Sequence, residues 1–112
     1  PDEQVYVDPL VMTIGASGDA ARIALATVRA VKAEYPDIHF TSGLSNVSFG
    51  LPARSLINRA FLTLMLEAGL DSAILDPLDR DLRKAILAAE AVLGLDRHCL
   101  GYTRAFRAGL LE

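Results

Sequence analysis

The 112 residues are 52% apolar and 22% charged, with eight glycines and five prolines, a composition that excludes disordered and collagen-like chains. Eleven Lys plus Arg against 14 Asp plus Glu give a formal charge of -3, so no long-range field draws the chain to nucleic acid or to an anionic membrane. The single cysteine, Cys99, has no intrachain disulfide partner and no CxxC or HxxxH context, which fits a reducing compartment and argues against structural zinc.

From the start, PDEQVYVD lacks the basic and then apolar regions of a signal peptide, and no later run approaches the roughly 18 apolar residues of a membrane span. A soluble cytoplasmic protein is therefore expected. Val5-Tyr6-Val7 reads as a strand stopped by Asp8-Pro9. A small-residue loop at Gly15 to Gly18 follows, with Ser17 or Asp19 available to cap a helix from about Ala20 to Tyr35. Leu25, Val28, Val31 and Tyr35 give that helix its apolar period, and Pro36 ends it.

The same grammar recurs. Ile38 to Thr41 reads as a strand, Gly43 to Pro52 as a glycine-punctuated loop, and Arg54 to Ala68 as a helix with Ile57, Phe61, Leu64 and Ala68 on one face and Gly69 as its C-terminal cap. In the third unit Ser72 to Leu75 is the expected strand and Asp76-Pro77-Leu78 a turn. A helix follows from about Arg80 to Leu93, with Leu82, Ile86, Ala89 and Leu93 as its stripe. One more short helix is expected around Tyr102 to Ala108.

The strands begin near residues 5, 38 and 72, the repeat of a strand, a crossover helix and a parallel return. Asp8-Pro9-Leu10 after the first strand recurs as Asp76-Pro77-Leu78 after the third. Both a portion of a (β/α) barrel and a doubly wound open sheet satisfy this pattern; closing a barrel takes eight strands and about 250 residues.

In parallel α/β folds functional residues gather where strands run out into loops. Those exits carry Asp8, Ser42 to Asn46, and Asp76. A carboxylate that accepts and an amide that both accepts and donates can recognise a flat heterocycle with adjacent donors and acceptors. No Ser-His-Asp or Cys-His nucleophile is legible. The loop from Gly43 to Gly50 matches neither the GxGxxG nor the GxxxxGK[ST] phosphate-binding pattern. His39, His98, Cys99, Met12 and Met65 read as structural residues, and Asp76 as a turn residue.

The strings VYVDPLV, GLSNVSFGLPARSLINRAFL and EAGLDSAILDP, in this order, resemble the pterin-binding methyltransferases. That family includes the methyltetrahydrofolate:corrinoid/iron-sulfur protein methyltransferases and the folate domain of cobalamin-dependent methionine synthase. The resemblance runs from Val5 to about Phe106. It implies an α/β fold that is the C-terminal portion, about three strand-helix units, of a (β/α)8 TIM barrel of the dihydropteroate synthase-like type, with residues 1–112 as part of one pterin-binding domain. Val5 to Asp8, Ile38 to Ser42 and Ser72 to Leu75 would be its sixth, seventh and eighth strands. The Ser-Arg-Lys type signature of dihydropteroate synthase itself is absent.

By the same resemblance Asp8 binds the amino-pyrimidine edge of the pterin and Asn46 reaches N5, the methyl-bearing nitrogen, as the catalytic residue. Ser45, Ser48 and Arg54 join Asp8 and Asn46 in the substrate site, with no metal ligand. Phe49 stands where some members carry Gln, so no contact of that Gln transfers. The implied substrate is methyltetrahydrofolate, and the implied methyl acceptor is a corrinoid (cobalamin) carried by a partner protein. The chain is expected to work as a homo-oligomer or paired with the rest of the barrel. The alternative is a non-catalytic assembly module that completes a barrel by pairing with itself or another chain.

Overall fold

The computed structural model describes residues 1–112. Its elements are β1 (Tyr6–Val7), α1 (Ala20–Glu34), β2 (His39–Phe40), a 3₁₀ turn (Leu44–Ser48), α2 (Arg54–Ala68), α3 (Arg80–Val92) and α4 (Leu100–Arg107), with single 3₁₀ turns at Asp2–Gln4 and Arg97–Cys99. No helix is long and apolar enough to cross a membrane.

β1 and β2 are parallel, Tyr6 opposite His39 and Val7 opposite Phe40. The amides of His39 and Thr41 donate to Val5 O and Val7 O, each at 3.0 Å. On the other side of β2, Ser72 N donates to Phe40 O at 3.0 Å and Ile74 N to Ser42 O at 2.8 Å. Alternate residues of one short strand thus bond to the left and to the right, as a parallel ladder demands. The expected third strand, Ser72 to Leu75, forms only the isolated parallel bridge Gly43–Ile74 rather than a strand. It is bonded along one edge alone, and Pro77, which has no amide hydrogen, follows within three residues of Ile74.

A carboxylate opens this side of the ladder. Asp71 Oδ1 accepts from Phe40 N at 2.8 Å, and its Oδ2 lies 2.5 Å from His39 Nδ1, while the His39 ring stacks on Tyr6 with centroids 4.9 Å apart. Asp71 therefore satisfies the amide of fully buried Phe40, which would otherwise lack a partner.

Helix limits follow local signals closely. Arg54 and Ala68 bound α2 as the periodicity predicts, and α1 and α3 each stop one residue short of the expected end. Asp79 caps α3, its Oδ1 accepting from Leu82 N at 3.0 Å. Asp19 holds the N-cap position of α1, but its carboxylate pairs with the Arg22 guanidinium instead of a backbone amide. α4 starts two residues before the expected position because Asp96 accepts from both Gly101 N and Tyr102 N at 2.8 Å.

The core lies between the sheet and α1 and α2. It contains Leu25 and Val28 of α1, Phe40 of β2, Leu44 and Val47 of the 3₁₀ turn, and Phe61, Leu62 and Met65 of α2. Leu82 is the single buried residue of α3. Leu64, expected on the core face of α2, is 50% exposed, and Leu62 and Met65 take that place. The reason is that α2 packs against α1 on one side and α3 on another, and a helix apolar around much of its girth has no single period to read. The molecule is a slab of 40 × 40 × 19 Å.

Two stability predictions follow from these contacts. Gly69 sits at φ +123°, and a Cβ there would come within 2.8 Å of Lys32 Cγ. Gly69→Ala is expected to destabilise by about 1–3 kcal/mol in urea unfolding; adding Lys32→Ala recovers the steric part alone, because the backbone conformation remains unfavourable. Asp71→Ala is expected to cost about 1–3 kcal/mol by leaving the Phe40 amide unpaired, and Asp71→Asn, which retains an acceptor oxygen, less than half of that by the same measurement.

Candidate functional site at the strand exits

The two Asp-Pro-Leu segments adopt one design. Asp8 Oδ1 accepts from Leu10 N at 2.8 Å, and Asp76 Oδ1 accepts from Leu78 N at 2.9 Å. Each aspartate folds back on its own backbone two residues on, a turn that proline at the intervening position favours. Leu10 is held at φ +54°, an uncommon conformation for a side chain with a Cβ. Asp8 is exposed, and its second carboxylate oxygen makes no bond within the protein.

The loop after β2 is anchored from below and turned outward above. Leu44 and Val47 are almost fully buried, whereas Ser45 and Asn46 between them are exposed. This alternation drives two apolar side chains into the core and lifts the Asn46 side chain to the surface. Its backbone carbonyl accepts from Phe49 N at 3.2 Å, while its side-chain amide has no partner in the protein.

Ser48 is fully buried and is not at the surface beside Asn46. Its hydroxyl accepts from Arg54 Nε at 2.9 Å and donates to Asn58 Oδ1 at 2.6 Å. Arg54 also donates through Nη2 to Ser45 O at 2.7 Å, and its guanidinium lies 5.9 Å from the centre of the Phe49 ring. Arg54 thus spans the turn from exposed Ser45 to buried Ser48, as a rigid fork of donors can.

The loop after β1 is stitched to the loop after β2. Ile14 N donates to Val47 O at 3.0 Å, and Thr13 Oγ1 donates to Phe49 O at 2.7 Å. Asp8 and Asn46 therefore belong to neighbouring, mutually bonded loops on one end of the sheet.

Beside the turn is a cleft of about 480 Å³, lined by Ser45, Arg54, Asn58, Ile74, Asp76 and Asp79 among others. It takes in Ser45 and Arg54 of the residues expected from the sequence; Asp8, Asn46 and Ser48 do not line it. Sequence reasoning passed over Asn58 and Thr13. The signal for Asn58 was its position four residues after Arg54, on the same helix face. For Thr13, whose partners lie 34 and 36 residues away, there was none.

No protein-family model matches the chain. It is 47% identical over 106 residues to the methylcorrinoid:tetrahydrofolate methyltransferase of Eubacterium limosum, an alignment covering 95% of this chain and 39% of that protein. It is 39% identical over 79 residues to the methionine synthase of Mycobacterium tuberculosis, covering 65% of this chain and 7% of the relative. The methionine synthase of Mycobacterium leprae is 40% identical over 76 residues, 62% of this chain and 6% of that one. The chain thus spans well under half the length of each of these relatives. From the near-complete alignment with the first and the partial alignments with the methionine synthases, this chain belongs to the pterin-binding methyltransferase family, as a C-terminal part of it.

Proposed function

We propose that residues 1–112 form the C-terminal part of a (β/α)8 barrel domain whose strand exits hold tetrahydrofolate, and that the full-length protein passes a methyl group between N5 of that folate and a corrinoid carried by a partner protein. In this reading β1, β2 and the bridge segment are the sixth, seventh and eighth strands. β1 is paired on one side only, which leaves the edge where a fifth strand adds. The observation that carries the reading is the pair of free polar groups, one oxygen of Asp8 and the amide of Asn46, on two bonded loops at the same end of parallel strands. It is supported by the names of the relatives, which include a methylcorrinoid:tetrahydrofolate methyltransferase.

The residues suit the chemistry of a reduced pterin. Asp8 keeps Oδ1 on Leu10 N and offers its other oxygen to the ring N–H and amino donors of the pyrimidine edge. Asn46 is neutral at every relevant pH, so it can neither give nor take the N5 proton. Its carbonyl stabilises N5 in the protonated state, in which the methylated amine becomes a competent leaving group. In the reverse direction the same contact stabilises the positive charge that N5 gains as it takes the methyl group, because both directions share one transition state. The corrinoid supplies a cobalt centre able to take up or release the methyl group. Ser45 and Arg54 border the adjoining cleft, and Ser48 supports the turn from beneath.

Two outcomes test this reading. Asn46→Ala in the full-length protein is expected to slow methyl transfer between tetrahydrofolate and cobalamin by one or more orders of magnitude, as loss of a transition-state hydrogen bond of about 1.5–3 kcal/mol would; unchanged transfer rates sink the role of Asn46. Asp8→Asn keeps an acceptor for Leu10 N and removes the charge. Folate affinity, measured by calorimetric titration, is expected to fall about 10- to 100-fold while the melting temperature stays within a degree or two. Equal affinity in wild type and variant would remove Asp8 from the binding site.

A further inference from the structure

The anchors of the Leu44–Ser48 turn fix its depth and leave its direction open. Burial of Leu44 and Val47 is favourable in any rotation that keeps both in the core, because hydrophobic burial has no preferred angle. Direction comes from hydrogen bonds, and on the α2 side these converge on Ser48. A serine hydroxyl has one proton to give. Ser48 Oγ already receives the Arg54 Nε–H at 2.9 Å, and its own proton faces two acceptors, Asn58 Oδ1 at 2.6 Å and Ser45 O at 3.1 Å. Ser45 O is itself occupied by Arg54 Nη2 at 2.7 Å. The shorter bond to Asn58 therefore takes the proton and ties the end of the turn to the interior of α2.

Asn58 is placed there against local preference. Asparagine inside a helix is less favourable than alanine, and it occupies the fifth residue of a 15-residue helix. Its only side-chain bond in the protein goes to Ser48. Arg54, the other link from α2 to the turn, is exposed and reaches it by a long flexible stem, so its grip depends on where Ser48 is held. The opposite flank is fixed independently by Thr13 and Ile14 on Phe49 O and Val47 O.

We propose that Asn58 is a positioning residue for Asn46: by taking the Ser48 proton it fixes the rotation of the turn, and with it the direction in which the Asn46 amide points. The proposal rests on the reading that Asn46 faces N5 of the folate. Without the Asn58 oxygen the Ser48 proton swings to Ser45 O, the turn closes on itself, and Asn46, two residues before Ser48, is re-aimed. Misplacement of a reacting geometry by an ångström is worth up to about 100-fold in rate.

The test is a double-mutant cycle in the full-length protein with methyl transfer between tetrahydrofolate and cobalamin as readout, joined by hydrogen exchange, without ligands, of the Phe49 and Leu51 amides, which donate to Asn46 O at 3.2 Å and Ser48 O at 3.0 Å. Asn58→Leu, which keeps the branching at Cγ and removes the acceptor, is expected to lower kcat about tenfold or more. Exchange at both amides should quicken by a similar factor. Asn58→Asp, which restores an acceptor oxygen, is expected to return both measures to within about threefold of wild type. Asn46→Ala combined with Asn58→Leu should transfer no more slowly than Asn46→Ala alone, because the second residue acts only through the first. Additive losses in the double variant, wild-type kcat in Asn58→Leu, or equal damage from Asn58→Leu and Asn58→Asp would each overturn the positioning role. An impaired Asn46→Ala beside an unimpaired Asn58→Leu refutes this inference and leaves the proposed function standing; a wild-type rate in Asn46→Ala refutes both.

Discussion

The arrangement depends on β2 being bonded from both sides. Two residues of regular strand are too few to persist unaided; a strand this short gains its geometry from its neighbours. His39 and Thr41 bond to the β1 side, Phe40 and Ser42 to the segment entering α3, and Asp71 completes the set by capping the Phe40 amide. Ser72 adds a second bond, its hydroxyl donating to Phe40 O at 3.0 Å. The loop that leaves this strand inherits its orientation, so the placement of Asn46 begins at a strand start on the opposite end of the sheet.

Sequence reading succeeded where the physics is local. The limits of α1, α2 and α3 came within one residue because the apolar period, the proline after Tyr35 and the glycine after Ala68 all act over a few residues. It was weaker where partners are distant. Ser72 to Leu75 has β propensity but only one neighbour to bond, so it forms a bridge. Leu64 fits the stripe expected for α2, yet helices on two sides of α2 determine which residues are covered. The candidate loop was legible from its sequence string alone. How it is held was not: Ser48 is buried, Asn58 binds it, and Thr13 joins the two loops through bonds no periodicity encodes.

The division of labour inside that loop is chemically economical. Apolar residues, polar residues facing inward and polar residues facing outward alternate over five positions, so one short turn serves packing, fixation and display together. Arg54 ties the exposed part of the turn to the buried part. A change at Ser48 or Arg54 is therefore felt across the whole turn, whereas the Asn46 side chain, free of protein bonds, can be altered without disturbing its support.

The fold-back of Asp8 on Leu10 has a thermodynamic consequence. A surface carboxylate that swings freely must be frozen when a partner arrives, and such ordering costs on the order of 0.5–1.5 kcal/mol for a mobile side chain. Asp8 has met that cost during folding: Pro9 stiffens the chain beside it, and one oxygen is already engaged at 2.8 Å, so the other is presented along a fixed direction. Glutamate at this position would carry the same charge on a longer stem, could not close the same turn, and would bring its carboxylate to any donor unaimed.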